Sequence, residues 1–98
     1  MNLLSDELVA SLPALGATEG QEDPLVVCKF FHADSPWTWY AIEYDGDDLF
    51  FGWVNGDEQE LGYFRRSDLE AQRGVFGLPI ERDLSFRPCP LSHLLMEA

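Results

Sequence analysis

Eight carboxylate side chains, Asp34, Glu43, Asp45, Asp47, Asp48, Asp57, Glu58 and Glu60, fall between Lys29 and Arg65, and no Lys or Arg interrupts them. All but Asp34 lie in and beside two expected hairpin turns, where a hydrogen-bonded sheet would fix their spacing. Rigid negative arrays resemble a phosphate backbone, which carries about one charge per 1.7 Å of duplex axis. Such a display competes for a Lys/Arg groove built for nucleic acid, driven by counterion release and steering without base reading. Glu43, Asp45, Asp47, Asp48, Asp57, Glu58 and Glu60 are therefore the expected partner-binding residues. The same residues also have a plain structural reading, because turns favour Asp and Gly conformationally and an acidic surface keeps a protein dissolved.

A second set of chemistry-bearing residues is weaker. Cys28-x-x-x-His32 and Cys89-x-x-x-His93 repeat one spacing, and two Cys with two His would close a tetrahedral zinc site if the segments met. Cys28 falls within an expected strand, however, where i and i+4 side chains stand more than about 10 Å apart unless the chain bends sharply. The ordinary reading of Cys28 is a buried thiol, and no metal site is expected. Asp45-Gly46-Asp47-Asp48 lacks the glycine and closing glutamate of a calcium loop. No nucleophile elbow, P-loop or dinucleotide fingerprint is present, so neither catalysis nor a cofactor is expected.

Composition narrows the partner. Eighteen Asp plus Glu against six Lys plus Arg give a net charge of −12 over 98 residues, which argues against direct contact with nucleic acid or an anionic membrane. A partner should be basic. Hydrophobic residues at 46% and aromatics at 13% supply a core, and the length suits a single acidic domain spanning residues 1–98. No secretory signal or apolar run of about 18 residues appears, so a cytoplasmic location is expected.

The elements that must position the acids follow from pattern. Ser5 caps a short amphipathic helix ending near Leu12, before Pro13, and a polar connection from Gly16 to Pro24 follows it. Strands are expected at Leu25 to Phe31, Trp37 to Glu43, Leu49 to Val54 and Glu60 to Arg65, with turns at Asp45–Asp48 and at Asn55-Gly56. Strict alternation puts Trp37, Trp39 and Ala41 on one side of the second strand and Tyr40, Ile42 and Tyr44 on the other, so both sheet faces want cover. Ser67 and Glu70 fit a capping box for a helix to about Arg73. Ile80 to Phe86 suggests a further edge strand, and Leu91 to Met96 a last helical turn. The expected class is α+β, a four-stranded antiparallel meander with a fifth edge strand, packed against an N-terminal helix and short helices.

The segments Lys29-Phe30-Phe31, Ser35 to Asp45, Leu49-Phe50-Phe51-Gly52, Glu60 to Phe64, Gly77 to Asp83, Phe86 and Pro88 to Leu91 resemble a bacterial family of unknown function. Its members are small single-domain proteins often encoded on plasmids and integrative conjugative elements. The resemblance implies no catalytic residue. It implies a setting in which small acidic proteins block restriction enzymes or CRISPR complexes, some by imitating DNA. The leading expectation is thus a non-enzymatic acidic inhibitor of a host nucleic-acid-binding defence complex. An interaction or homodimer module without mimicry is the alternative, and a small metal-binding protein the third.

Overall fold

The computed structural model describes residues 3–97. Ser5 caps α1 (Asp6–Ser11), its hydroxyl accepting from Leu8 N at 3.2 Å, with Asp6 and Glu7 in the first turn where the helix dipole favours anions. The expected first strand is broken at Val27, whose amide donates to Ala41 O at 2.9 Å. Its halves join different sheets: β1 (Leu25–Val26) pairs with β7 (Cys89–Pro90), and β2 (Cys28–His32) enters the main sheet. That sheet adds β3 (Thr38–Tyr44), β4 (Leu49–Asn55), β5 (Gln59–Arg65) and β6 (Ile80–Arg82) in the order β5-β4-β3-β2-β6, antiparallel throughout. The α+β class, the meander and the fifth edge strand are as expected.

Alternation fails at one place, and its failure matters. Ala41 pairs with Gly52 and Glu43 with Phe51, which leaves Ile42 as the extra residue of a β-bulge. The insertion resets the period of two, so Tyr44 joins Trp39 and Ala41 instead of sharing a face with Tyr40 and Ile42. On that face, Tyr44 stacks on Phe50 at 4.4 Å and Phe50 on Phe64 at 5.1 Å. Leu3, Leu4 and Leu12 from the N-terminal segment and Leu69 from α2 (Arg66–Ala71) close over this stack. Each such buried side chain contributes about 1.5–3 kcal/mol. On the opposite face Val26 of β1 and Leu91 of α3 (Leu91–Glu97) pack with Ile42 as a second buried cluster. The two faces are covered by different segments, and on β5 Leu61 and Tyr63 stay exposed.

One local expectation is corrected. The Ser67–Glu70 capping box does not form: Asp48 reaches across from the β3–β4 turn, and its carboxylate accepts from Ser67 N and Ser67 Oγ, each at 2.8 Å, while Glu70 pairs with Arg66 at 3.6 Å. The turn expected at Asn55-Gly56 forms, Asn55 pairing with Gln59 across a connection of residues 56–58. Gly56 is required for space, because a Cβ there would sit 2.4 Å from the Trp37 ring.

Gly52 and Gly62 face each other across β4 and β5, yet a Cβ on Gly52 would lie 1.8 Å from Tyr40 O whereas one on Gly62 would meet nothing within 4 Å. Gly52→Ala should therefore cost about 3 kcal/mol in urea denaturation, at the upper end of overpacking, and Gly62→Ala should leave stability nearly unchanged.

Candidate functional site

Glu43 is the expected partner-binding residue that the structure removes from the surface. It is 4% exposed, because the bulge turns its side chain onto the connection between α1 and β1. Its Oε1 accepts from Gly16 N at 2.7 Å, and its Oε2 accepts from Thr18 N at 2.9 Å and from Thr18 Oγ1. Burial pushes this carboxyl up, but the bonds from Thr18 and Gly16 outweigh it and hold the group ionised below its ordinary value. It is a structural clamp and not a phosphate-like charge.

The other six candidates keep their places near the turns, in two groups. Asp45, Asp47 and Asp48 sit at one end of β3 and β4; Asp57, Glu58 and Glu60 sit at the other. The seven residues of β4 separate the groups by about 20 Å at 3.3 Å per residue. Within the first group Asp45 closes its own turn, its Oδ1 accepting from Asp47 N and Asp48 N at 2.8 Å and from Leu49 N at 3.0 Å. Those bonds lower its pKa, led by the one from Asp47. Asp48 is lowered by Ser67 and also lies 3.7 Å from Arg65 Nη1. Asp47, Asp57, Glu58 and Glu60 are exposed, and among the described residues none of them forms an ion pair.

A cleft of about 370 Å³ opens between the clamped connection and the outer strands. Its apolar walls are Phe51, Leu61, Tyr63, Leu91 and Pro24, and Glu19 and Glu22 stand on its rim. Leu61 and Tyr63, 47% and 67% exposed, carry the uncovered part of the sheet on β5. Sequence reasoning missed this cleft: Leu61 and Tyr63 alternate legibly, but nothing local shows that Glu43 draws residues 16–18 over the sheet beside them.

The Cys and His residues are engaged separately. Cys28 is buried on β2, with burial pushing its thiol up to about 12, whereas Cys89 lies in the two-stranded sheet. His32 Nδ1 lies 2.6 Å from Asp34 Oδ1, both side chains being more than nine-tenths buried, and Asp34 Oδ2 accepts from Phe76 N at 3.1 Å. Among the described residues no three His, Cys, Asp or Glu side chains group to hold a metal ion, and no helix is long and apolar enough to cross a membrane.

Glu43→Gln keeps the shape but not the charge, and should cost about 2 kcal/mol at neutral pH by leaving mismatched buried donors. The ordinary carboxyl value is 4.5 and the folded one lies below it, so the native contribution is complete above pH 4.5 and drains away as pH falls through the folded value. Urea denaturation of the two proteins side by side should show their stability gap narrowing over that acid range.

No curated protein and no solved structure matches this chain. A family model does, over residues 3–98, a span that takes in the bulged strand, both acidic turns and the cleft. The chain accordingly belongs to the family described as protein of unknown function (DUF2958).

Proposed function

We propose that this is a non-catalytic acidic binding protein, acting in the cytoplasm, whose partner is a basic surface of another protein. One observation carries the reading: Asp47, Asp57, Glu58 and Glu60 project from the sheet's turns and outer strand without a cation of their own among the described residues. Unpaired charge held on a firm scaffold steers association and favours a complementary surface. In its finer form the partner is a nucleic-acid-binding defence complex, with the acids standing where phosphates would. The net charge of −12 supports that form, as does the resemblance to proteins carried on plasmids and conjugative elements. The two acidic groups lie about 20 Å apart, roughly six base-pair steps of duplex, so a mimic of this kind touches a groove at two points.

A second reading has its own observation. The cleft beside β5 has apolar walls of Phe51, Leu61 and Tyr63, which suits an interaction module in which the charge is incidental.

Capture from bacterial lysate at low and raised salt separates the two. Under the charge reading, Asp57→Asn/Glu58→Gln/Glu60→Gln weakens retention on the order of tenfold, Asp47→Asn weakens it further, and raised salt releases the partner. Retention that ignores both sets of substitutions and the salt concentration overturns the charge reading in favour of the apolar cleft.

A further inference from the structure

The cleft beside the clamped connection combines aromatic surface with negative charge. Strand register sets Glu43, Phe51 and Tyr63 in one row across β3, β4 and β5, and Leu61, two residues before Tyr63, stands on the same side. The Phe51 and Tyr63 rings lie 5.1 Å apart, tilted by 57°. Glu43 ends the row as a buried carboxylate satisfied by N–H and O–H donors, which hold its charge without cancelling it. Glu19 and Glu22 add two exposed carboxylates, and no Lys or Arg lines the cleft. Among the described residues none of these three acids has an ion-pair partner. Charge of one sign in an apolar-walled cleft focuses its field and draws a cation more strongly than the same charge in open solvent.

The chain shows elsewhere what completes such a set. On β2, Lys29 Nζ lies 5.8 Å from the centre of the Tyr40 ring and 3.8 Å from Asp83 Oδ2, a cation shared between an aromatic face and a carboxylate. The cleft has the rings and the carboxylates of that arrangement, and no cationic residue of the chain to complete it. We propose that it receives an arginine side chain of the partner, the guanidinium lying on Phe51 and Tyr63 and facing Glu19 and Glu22, with its aliphatic stem against Leu61. The inference rests on the reading of a basic protein partner and gives that partner an anchor. Arginine suits the cleft better than lysine, because a flat guanidinium stacks on a ring while its edge still donates to carboxylates. At about 370 Å³ the cleft falls at the small end of the range for small-ligand sites, about 300–1,000 Å³, which matches one inserted side chain.

The test is a titration of the isotope-labelled full chain with acetyl-Leu-Arg-Leu amide, followed by amide chemical shifts at about 0.15 M salt, where charges farther off than about 8 Å are screened. Shifts should gather at Thr18, Gln21, Phe51 and Tyr63 and saturate with a Kd on the order of 1 mM, as for one anchored side chain. The citrulline counterpart, alike in shape but uncharged, should bind at least about tenfold more weakly. Glu19→Gln/Glu22→Gln and, separately, Tyr63→Ala change exposed side chains, and each should weaken the arginine peptide about tenfold. The Gln pair carries the test by itself should Tyr63→Ala unfold the chain. Asp57→Asn/Glu58→Gln should leave the affinity nearly unchanged. Equal binding of the arginine and citrulline peptides, shifts confined to the turns at residues 45–48 and 56–58, or no shifts up to about 10 mM peptide each overturn the inference. Because the lysate capture reads the turn acids, failure of this titration alone removes the arginine anchor and leaves the basic-partner reading standing.

Discussion

The carboxylate of Glu43 ties the polar connection of residues 13–20 to the sheet, and much of the remaining architecture is arranged by that attachment. A buried carboxylate is tolerable only when fully hydrogen-bonded, and here Gly16 N, Thr18 N and Thr18 Oγ1 all donate to it. The backbone beside it is also engaged, with Tyr44 N donating to Pro13 O at 2.9 Å. The bulge at Ile42 makes this possible by turning Glu43 away from the Tyr44 stack. One inserted residue therefore does two things: it completes the aromatic core on one face and fastens a wall of the cleft on the other.

The same chemistry recurs at the starts of α2 and α3 and at several turns. Eighteen acids share six Lys and Arg, so carboxylates that pack against the fold are satisfied chiefly by N–H and O–H donors. Asp48 holds Ser67 at the start of α2, and Asp23 holds Ser92 N and Oγ at 2.8 and 2.7 Å at the start of α3. Asp83 accepts from Ser85 N at 2.9 Å, and Asp34 from the backbone of Phe76. Part of what composition registers as surface charge is thus framework. The acids left over, on the turns and β5, are the ones available to a partner.

Covering the sheet from two directions leaves one strip uncovered. α1 and α2 close the Tyr44–Phe50–Phe64 face, while β1, β7 and α3 close the Ile42 face near β3. Neither group reaches the outer side of β5, where Leu61 and Tyr63 remain in solvent beside the cleft. The acidic turn at residues 56–58 and the apolar strip meet at the start of β5, so a charged surface and an apolar one adjoin there.

Residue pattern alone determined the α+β class, the meander, the Ser5 cap and the location of six acids near the turns, because alternation, turn residues and helix caps are local effects acting over a few neighbours. It also sufficed for the family resemblance. The fate of Glu43 was not legible: one inserted residue reverses every later side chain, and its donors lie 25 and 27 positions away in a stretch with no periodicity of its own. Asp48 displacing the Ser67–Glu70 box was hidden for the same reason, since the competing acceptor comes from 19 residues earlier. Tertiary structure decided which carboxylates are spent on donors and which stay free, because that competition is settled by distances that exist only once the sheet has closed.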